Sequence, residues 1–94
     1  MSQSAAEILR AAHSHIQNRA ALRDTPAGER SMGRTVAAFN AVTGRNLSER
    51  EGWLFMLVLK IARSQTGNFH VDDFEDMAAY AALLGEAAHG PKAD

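Results

Sequence analysis

The chain has 94 residues, which is enough for one domain, with a formal net charge of −1 at pH 7 and no cysteine. The near-neutral charge argues against a dedicated duplex-DNA-binding protein, because such a protein needs a broad basic surface. The lack of cysteine excludes disulfides and thiolate zinc sites, and the N-terminal residues do not have the pattern of a secretory signal, so we expect a cytoplasmic protein.

Charge is distributed unevenly along the chain. Residues 1–47 carry six Arg against three acids, a net charge of +3, whereas residues 48–94 carry four cations against eight acids, a net charge of −4. Attraction between the two halves within the fold is the simplest explanation. Eight of the ten basic residues are Arg, whose planar guanidinium suits carboxylates and phosphates. The composition is therefore also compatible with an anionic ligand.

Helix-start and helix-end signals predict the first two helices. The first begins at Ser4, because Ser4 and Glu7 have the spacing of a capping box. The second is certain only from about Met32, because Thr25 and Pro26 fit a chain break and equally fit the N-cap and first residue of this helix. It ends before Gly44, since glycine readily takes the left-handed conformation that follows many helices. We find no strand signal.

The same signals predict two more helices. A second capping box, from Ser48 to Glu51, opens the third helix, which runs to about Ser64. The fourth helix starts with the acids at Asp72, where negative charge favours a helix N-terminus, and it stops before Gly90. Its many alanines offer small faces that a neighbouring helix can approach closely.

The third helix is the most apolar segment of the chain. Residues 53–63 read WLFMLVLKIAR, which is too short to cross a membrane and apolar nearly all round. We predict an all-α, four-helix bundle around this central helix (about 49–64), in a single domain over 1–94 with its core at about 4–88 and a frayed tail at 89–94. The alanine-rich helices cover the central helix thinly, so we also predict a homo-oligomer, most simply a twofold dimer.

Two charged clusters are the candidate functional groups. Lys60 and Arg63 lie near the end of the central helix, while Asp73 and Asp76 share one face of the fourth helix with Tyr80. One interpretation pairs a cation with an acid across the hairpin of the third and fourth helices. The other combines oxygen ligands for Mg²⁺ with cations and Tyr80 that face a phosphate ligand. The sequence leaves both interpretations open.

Further residues are candidates for the same site. The additional candidate metal ligands are three acids, Asp72, Glu75 and Glu49. Arg30 and Arg34 are candidate phosphate contacts, because Arg side chains and helix-start amides suit anions, with ordinary surface Arg as the alternative. Asn40 is equally a ligand contact or a partner for a buried backbone group. His13 and His15 are predicted on a solvated face, because their spacing separates them by about 200°.

Residues 57–63 and 72–83 together resemble a group of small uncharacterised phage and prophage proteins. In that group a Lys-Ile-Ala-Arg segment precedes a helix with two aspartates and a Tyr-Ala-Ala-Leu run. The group is distantly similar to the MazG-type all-α nucleotide pyrophosphohydrolases, and the resemblance covers about residues 30–88. It implies an all-α fold, a small nucleotide ligand, Mg²⁺ and the cytoplasm of a bacterial host, with no membrane partner.

MazG-type enzymes hold Mg²⁺ against a triphosphate with two acidic pairs on two helices. The resemblance places one pair at Asp73 and Asp76, but Glu49 and Glu51 point to different sides of their helix and do not supply the other. It therefore implies a nucleotide-binding protein that sequesters a signalling nucleotide without turnover, and no catalytic residue is assigned. The alternatives are Mg²⁺-dependent pyrophosphate hydrolysis with acids from a partner subunit, and a non-enzymatic structural or protein-interaction module.

Overall fold

A computed structural model describes residues 4–23 and 31–90, with the side chains of 19–23 left out. The described part forms four α-helices and no strand. The helices are α1 (Ala5–Arg23), α2 (Ser31–Thr43), α3 (Glu49–Ser64) and α4 (Val71–His89). The predicted all-helical class and the number of helices are confirmed. Among these helices, none is long and apolar enough to cross a membrane.

Capping boxes set the starts of α1 and α3. The Ser4 N–H donates to the Glu7 carboxylate at 3.1 Å, and the Glu7 N–H donates to Ser4 Oγ at 3.2 Å. Ser48 and Glu51 make the same two bonds, at 2.9 and 3.0 Å, before α3. Each box satisfies amide groups that a helix start leaves without a partner, so both predicted starts are confirmed.

Glycines with positive φ follow α2 and α4. Gly44 has φ of 75° and Gly90 has φ of 81°, in the region that side chains with a β-carbon rarely adopt. The predicted ends of these helices are therefore confirmed. α4 includes His89, one residue into the segment predicted as a frayed tail. Residues 25–26, the alternative start of α2, and residues 91–94 lie outside the described part, and the domain boundaries stay a prediction.

The core lies where α2, α3 and α4 meet. Its buried members are Met32 and Val36 of α2, Trp53 of α3, and Tyr80 and Leu83 of α4. The rings of Trp53 and Tyr80 lie 5.7 Å apart between centroids with a tilt of 30°, a favourable aromatic arrangement. α4 packs against both α3 and α1, whereas α2 packs mainly against α3. The helix with the most extensive packing is therefore α4 rather than α3.

One side of α3 is open to solvent. Its large apolar side chains Leu54, Phe55, Val58, Leu59 and Ile61 are between 37% and 68% exposed. This exposed side agrees with the prediction that the alanine-rich helices cover the apolar helix thinly, while its cover by a second copy stays a prediction. The physical reason for the exposure is that the alanine-rich α1 packs on α4, where Ala79 is fully buried, and leaves the outer face of α3 uncovered.

Gly52 allows α2 to approach α3 closely. It lies beneath Met32 and Val36, and a β-carbon at this position would lie 2.9 Å from Val36 Cγ1 and closer still to Met32 Sδ. Contacts this short do not occur between real side chains, so a larger residue here must displace its neighbours. Gly52 is therefore the position at which the packing of α2 on α3 is most sensitive.

Asn40 holds the connection between α2 and α3. Its Nδ2 donates to the Leu47 carbonyl oxygen at 2.9 Å, and the Leu47 N–H donates to Asn40 Oδ1 at 2.8 Å. Both ends of the amide are thus bonded to one backbone residue. Of the two interpretations of Asn40, the structure shows the backbone partner.

Candidate ligand-binding cleft

A cleft of about 470 Å³ lies between the end of α3 and the start of α4. Its lining is polar and comes from the two helices and the segment between them: Lys60, Arg63, Thr66, His70, Asp72, Asp73 and Asp76. The structure therefore brings the two predicted charged clusters together at one concavity of a single chain.

The start of α4 places the acids in the cleft. The helix begins at Val71, one residue earlier than predicted, with His70 at the N-cap in an extended conformation and without a side-chain capping bond. The Asp73 N–H donates to the His70 carbonyl at 3.1 Å. Asp72 and Asp73 consequently lie in the first turn, where the helix dipole favours negative charge.

Lys60 and Asp76 form an ion pair across the α3–α4 hairpin. Lys60 Nζ lies 2.9 Å from Asp76 Oδ2, and the side chains are only 16% and 18% exposed. The ion-pair interpretation of the two clusters is confirmed for these residues. Because the pair is largely shielded from water, removal of one partner leaves a poorly solvated charge on the other.

Asp73 differs from Asp76 because nothing in the described residues pairs with its carboxylate. It is 9% exposed, the one charged side chain among these residues that is buried, and it lines the cleft. No hydrogen bond or ion pair to its side chain is found within residues 4–23 and 31–90. Buried carboxylates are normally paired or bound to a cation, so Asp73 is the strongest indication of a ligand in the molecule.

Arg63 gives the cleft a second cation. It lies in the last turn of α3 and is exposed, and its guanidinium has no partner in the part of the chain that the structure describes. The five charged lining residues comprise two cations and three carboxylates, a formal charge of −1 with His70 neutral. The cleft therefore offers both an uncommitted guanidinium and an uncommitted carboxylate.

Residues 7–88 match a family described as a domain of unknown function, DUF6378. The chain belongs to the DUF6378 family. The match spans all four helices and includes every residue that lines the cleft. No curated protein and no solved structure matches the chain. The family assignment agrees with the small all-helical fold, and the phage and MazG resemblance stays a proposal.

The acids of this DUF6378 chain form an incomplete metal site on their own. Among the described residues, no group of three His, Asp or Glu side chains is arranged to hold a metal ion. Asp73 is the uncommitted oxygen ligand, and Asp72 and Asp76 are the other carboxylates at the same cleft. Mg²⁺ commonly keeps several waters and takes one or two carboxylates together with phosphate oxygens of a ligand. The residues present fit that mode and do not fit an all-protein cage.

Two predicted metal ligands lie outside the cleft. Glu75 faces α1, where its Oε1 lies 2.8 Å from His15 Nε2. His13 is exposed as predicted, and His15 keeps 41% of its side chain exposed although the packing of α1 on α4 brings it to Glu75, a contact that the sequence analysis did not predict. Glu49 begins α3, roughly 21 Å along the helix axis from Arg63. Neither acid contributes to the cleft of one chain.

The remaining predicted ligand contacts are also separated from the cleft. Tyr80 shares a face with Asp73 but lies about 10 Å farther along α4, and its ring is buried against Trp53. Arg34 is exposed on α2 and, like Asn40, does not line the cleft. Arg30 lies outside the described residues. Of the seven residues that line the cleft, the sequence analysis named five as candidates, and it singled out neither Thr66 nor the burial of Asp73.

Proposed function

We propose that this DUF6378 protein binds a phosphate-bearing small molecule of the nucleotide class, together with Mg²⁺, in the cleft between α3 and α4. The observation that carries the proposal is Asp73, a carboxylate that is nine-tenths buried, lines the cleft and has no side-chain partner among the described residues. A buried charge of this kind is costly without a counter-charge, and a divalent cation supplies one.

The charge balance of the cleft favours a metal–phosphate complex over either component alone. A free phosphate would meet three carboxylates and two cations, so repulsion would offset most of the attraction. A bound Mg²⁺ reverses that balance, and the phosphate oxygens complete its coordination shell. Arg63 then contacts the phosphate with a guanidinium that suits its oxygens, while Lys60 and Asp76 hold the two helices in register.

Binding without turnover is the form of the proposal that the described carboxylates support. All three acids of the cleft come from the first turns of α4, and α3 contributes only cations. Two-metal activation of a water needs carboxylates that hold a second ion, and Glu49 is far away along α3. In its finer form, the ligand is a signalling nucleotide of a bacterial host, sequestered in the cytoplasm by a phage-derived protein.

Titration calorimetry with and without Mg²⁺ tests this function. The panel contains inorganic phosphate, nucleoside mono-, di- and triphosphates, and cyclic dinucleotides. We expect heat from a phosphate compound in the presence of Mg²⁺ and little from either alone. Asp73→Asn and Arg63→Ala should each weaken binding about tenfold or more, since a bond to a charged group contributes roughly 1.5–3 kcal/mol. Arg45→Ala, which removes an exposed Arg outside the cleft, is the matched control.

The competing function is a structural or protein-interaction module, and the Lys60–Asp76 ion pair favours it. In that case the charged residues join α3 to α4 and no small molecule binds. A panel that gives no heat under either condition would therefore reject nucleotide binding and leave this alternative. Pyrophosphate release from a triphosphate that depends on Asp73 would instead support the hydrolase.

A further inference from the structure

One side of α3 carries a continuous stripe of exposed residues. The members are Glu51, Leu54, Phe55, Val58, Ile61 and Ala62, with Gln65 at the C-cap, and all of them are exposed. Their helical positions fall within about 60° of the direction of Val58. The opposite face of the helix, which includes Gly52 and Trp53, packs against the core. α3 is thus apolar on both faces, and only one face is covered by its own chain.

The spacing of this stripe reads the same in both directions. Successive members are separated by three, one, three, three, one and three residues, with Val58 at the centre. Its interior is apolar and both of its ends are polar, Glu51 at one end and Gln65 at the other. Any helix residue has neighbours at these spacings on its own face, so the symmetry that matters is that of the residue types, apolar inside and polar at both ends. A twofold interface, in which each residue i contacts j while j contacts i, brings the apolar interiors of two copies together.

We infer that a second copy of this chain covers the stripe, with the two α3 helices antiparallel and the twofold axis at Val58. Residues equally far from Val58 then lie at the same height, and residues on the same edge of the stripe meet. Leu54 faces Ile61 of the partner subunit, and Phe55 faces Ala62 of the partner subunit, so a large side chain meets a small one. A parallel arrangement instead places Glu51 beside its own copy, where like charges repel.

The exposed area reaches the minimum that such a dimer needs. The apolar side chains of the stripe leave on the order of 500 Å² open, at the upper end of what monomers expose in one patch. Two such stripes, with Leu59, bury on the order of 1,000 Å² in total, which reaches the lower bound for a specific interface and lies below the roughly 1,600 Å² of a standard one. The core of one chain is small, since no large side chain among the described residues is fully buried. A further apolar layer therefore adds the stability that a domain of this size usually lacks.

Sedimentation equilibrium with matched charge substitutions tests the dimer. We expect the wild-type protein to be dimeric and Val58→Glu to be monomeric, because the variant places two carboxylates at the twofold axis. Val58 is 52% exposed in the single chain, so the substitution does not disturb the core. Val42→Glu makes the same change at an 85% exposed position on α2 and should remain dimeric. A monomeric wild type, or a dimer that survives Val58→Glu, would overturn the inference.

Cysteine cross-linking tests the antiparallel register, because the natural chain has no cysteine. Val58→Cys should form a disulfide-linked dimer under mild oxidation. Leu54→Cys alone should not, since the two copies of position 54 lie about 12 Å apart along an antiparallel pair, beyond the reach of a disulfide. Mixing Leu54→Cys with Ile61→Cys protein should restore cross-linking. Efficient cross-linking of Leu54→Cys alone would indicate a parallel pair and refute the proposed register.

Discussion

Asp73 is the residue at which stability and ligand binding are expected to conflict. The buried carboxylate has no described partner, so the folded protein bears the cost of taking it out of water. A protein that keeps such a group in the absence of ligand is less stable than it would be with a neutral side chain there. Functional sites commonly carry residues of this kind, because the same residue is needed for binding. Asp76, three residues along the same helix, is paired with Lys60 and carries no comparable cost.

Asp73→Asn is therefore expected to stabilise the free protein. Removing a buried charge that only the helix dipole offsets among the described residues should raise the free energy of unfolding by up to about 1–2 kcal/mol. For a domain of this size that corresponds to a rise in melting temperature of roughly 4–10 °C. Thermal unfolding without ligand measures it, and Asp72→Asn, at the exposed neighbouring position, should change little. A clear loss of stability in Asp73→Asn would mean that the carboxylate already makes a favourable contact.

The sequence predicted those contacts whose two residues lie close together in the chain. The capping pairs Ser4–Glu7 and Ser48–Glu51 lie three residues apart, so a sequence pattern is sufficient to identify them. The His15–Glu75 contact joins residues 60 positions apart, and nothing local to either residue signals it. Which acid of the cleft pairs with a cation and which is buried alone likewise depends on how α3 and α4 cross.

At the scale of elements, small side chains determine which helix packs most extensively, more than bulky ones do. The concentration of Leu, Phe and Val in α3 predicted that α3 is central, but α3 and α4 each pack against two helices and the packing of α4 is the more extensive. Ala79 on α4 and Ala12 on α1 are among the most buried residues, at 0% and 4% exposure. Alanine faces let helix backbones approach closely, so a count of bulky residues does not identify the central helix.

Gly52→Ala tests the close packing of α2 on α3. The added methyl group would overlap Met32 and Val36, and overpacking of this kind typically costs about 1–3 kcal/mol. This cost outweighs the gain of up to about 1 kcal/mol that alanine brings to a helix interior. Gly85→Ala in α4 is the matched control, because a β-carbon there has no neighbour within 4 Å. Chemical denaturation should show Gly52→Ala less stable than wild type and Gly85→Ala equally or more stable.

Gly52→Ala could be as stable as Gly85→Ala only if α2 of the variant moved away from the added methyl group and kept its packing on α3. The Asn40–Leu47 bonds limit such a shift, since they fix the connection between the two helices. A combined loss of these bonds and of the Met32 contact would release α2 from the core. The sensitivity of the α2–α3 packing to substitution therefore depends both on Gly52 and on the connection that Asn40 holds.

At the scale of the whole molecule, the single chain is more extended than a typical domain of its length. Its radius of gyration is 14.4 Å, against about 12 Å expected for a compact domain of 94 residues. The extension leaves a large surface for a small core, and the open stripe of α3 is part of that surface. An antiparallel dimer converts this stripe into interior, so folding and association become linked.

The melting temperature is therefore expected to depend on protein concentration. When the folded species is a dimer and the unfolded chains are separate, each tenfold increase in concentration favours the dimer by about 1.4 kcal/mol. Dividing this free energy by the entropy of unfolding of two chains gives a rise in melting temperature of roughly 3 °C. Calorimetric scans across a hundredfold range should show the rise in wild type and in Val42→Glu, and not in Val58→Glu. A wild-type melting temperature that does not change with concentration would show that the single chain folds without a partner, and the apolar stripe of α3 would then need another explanation.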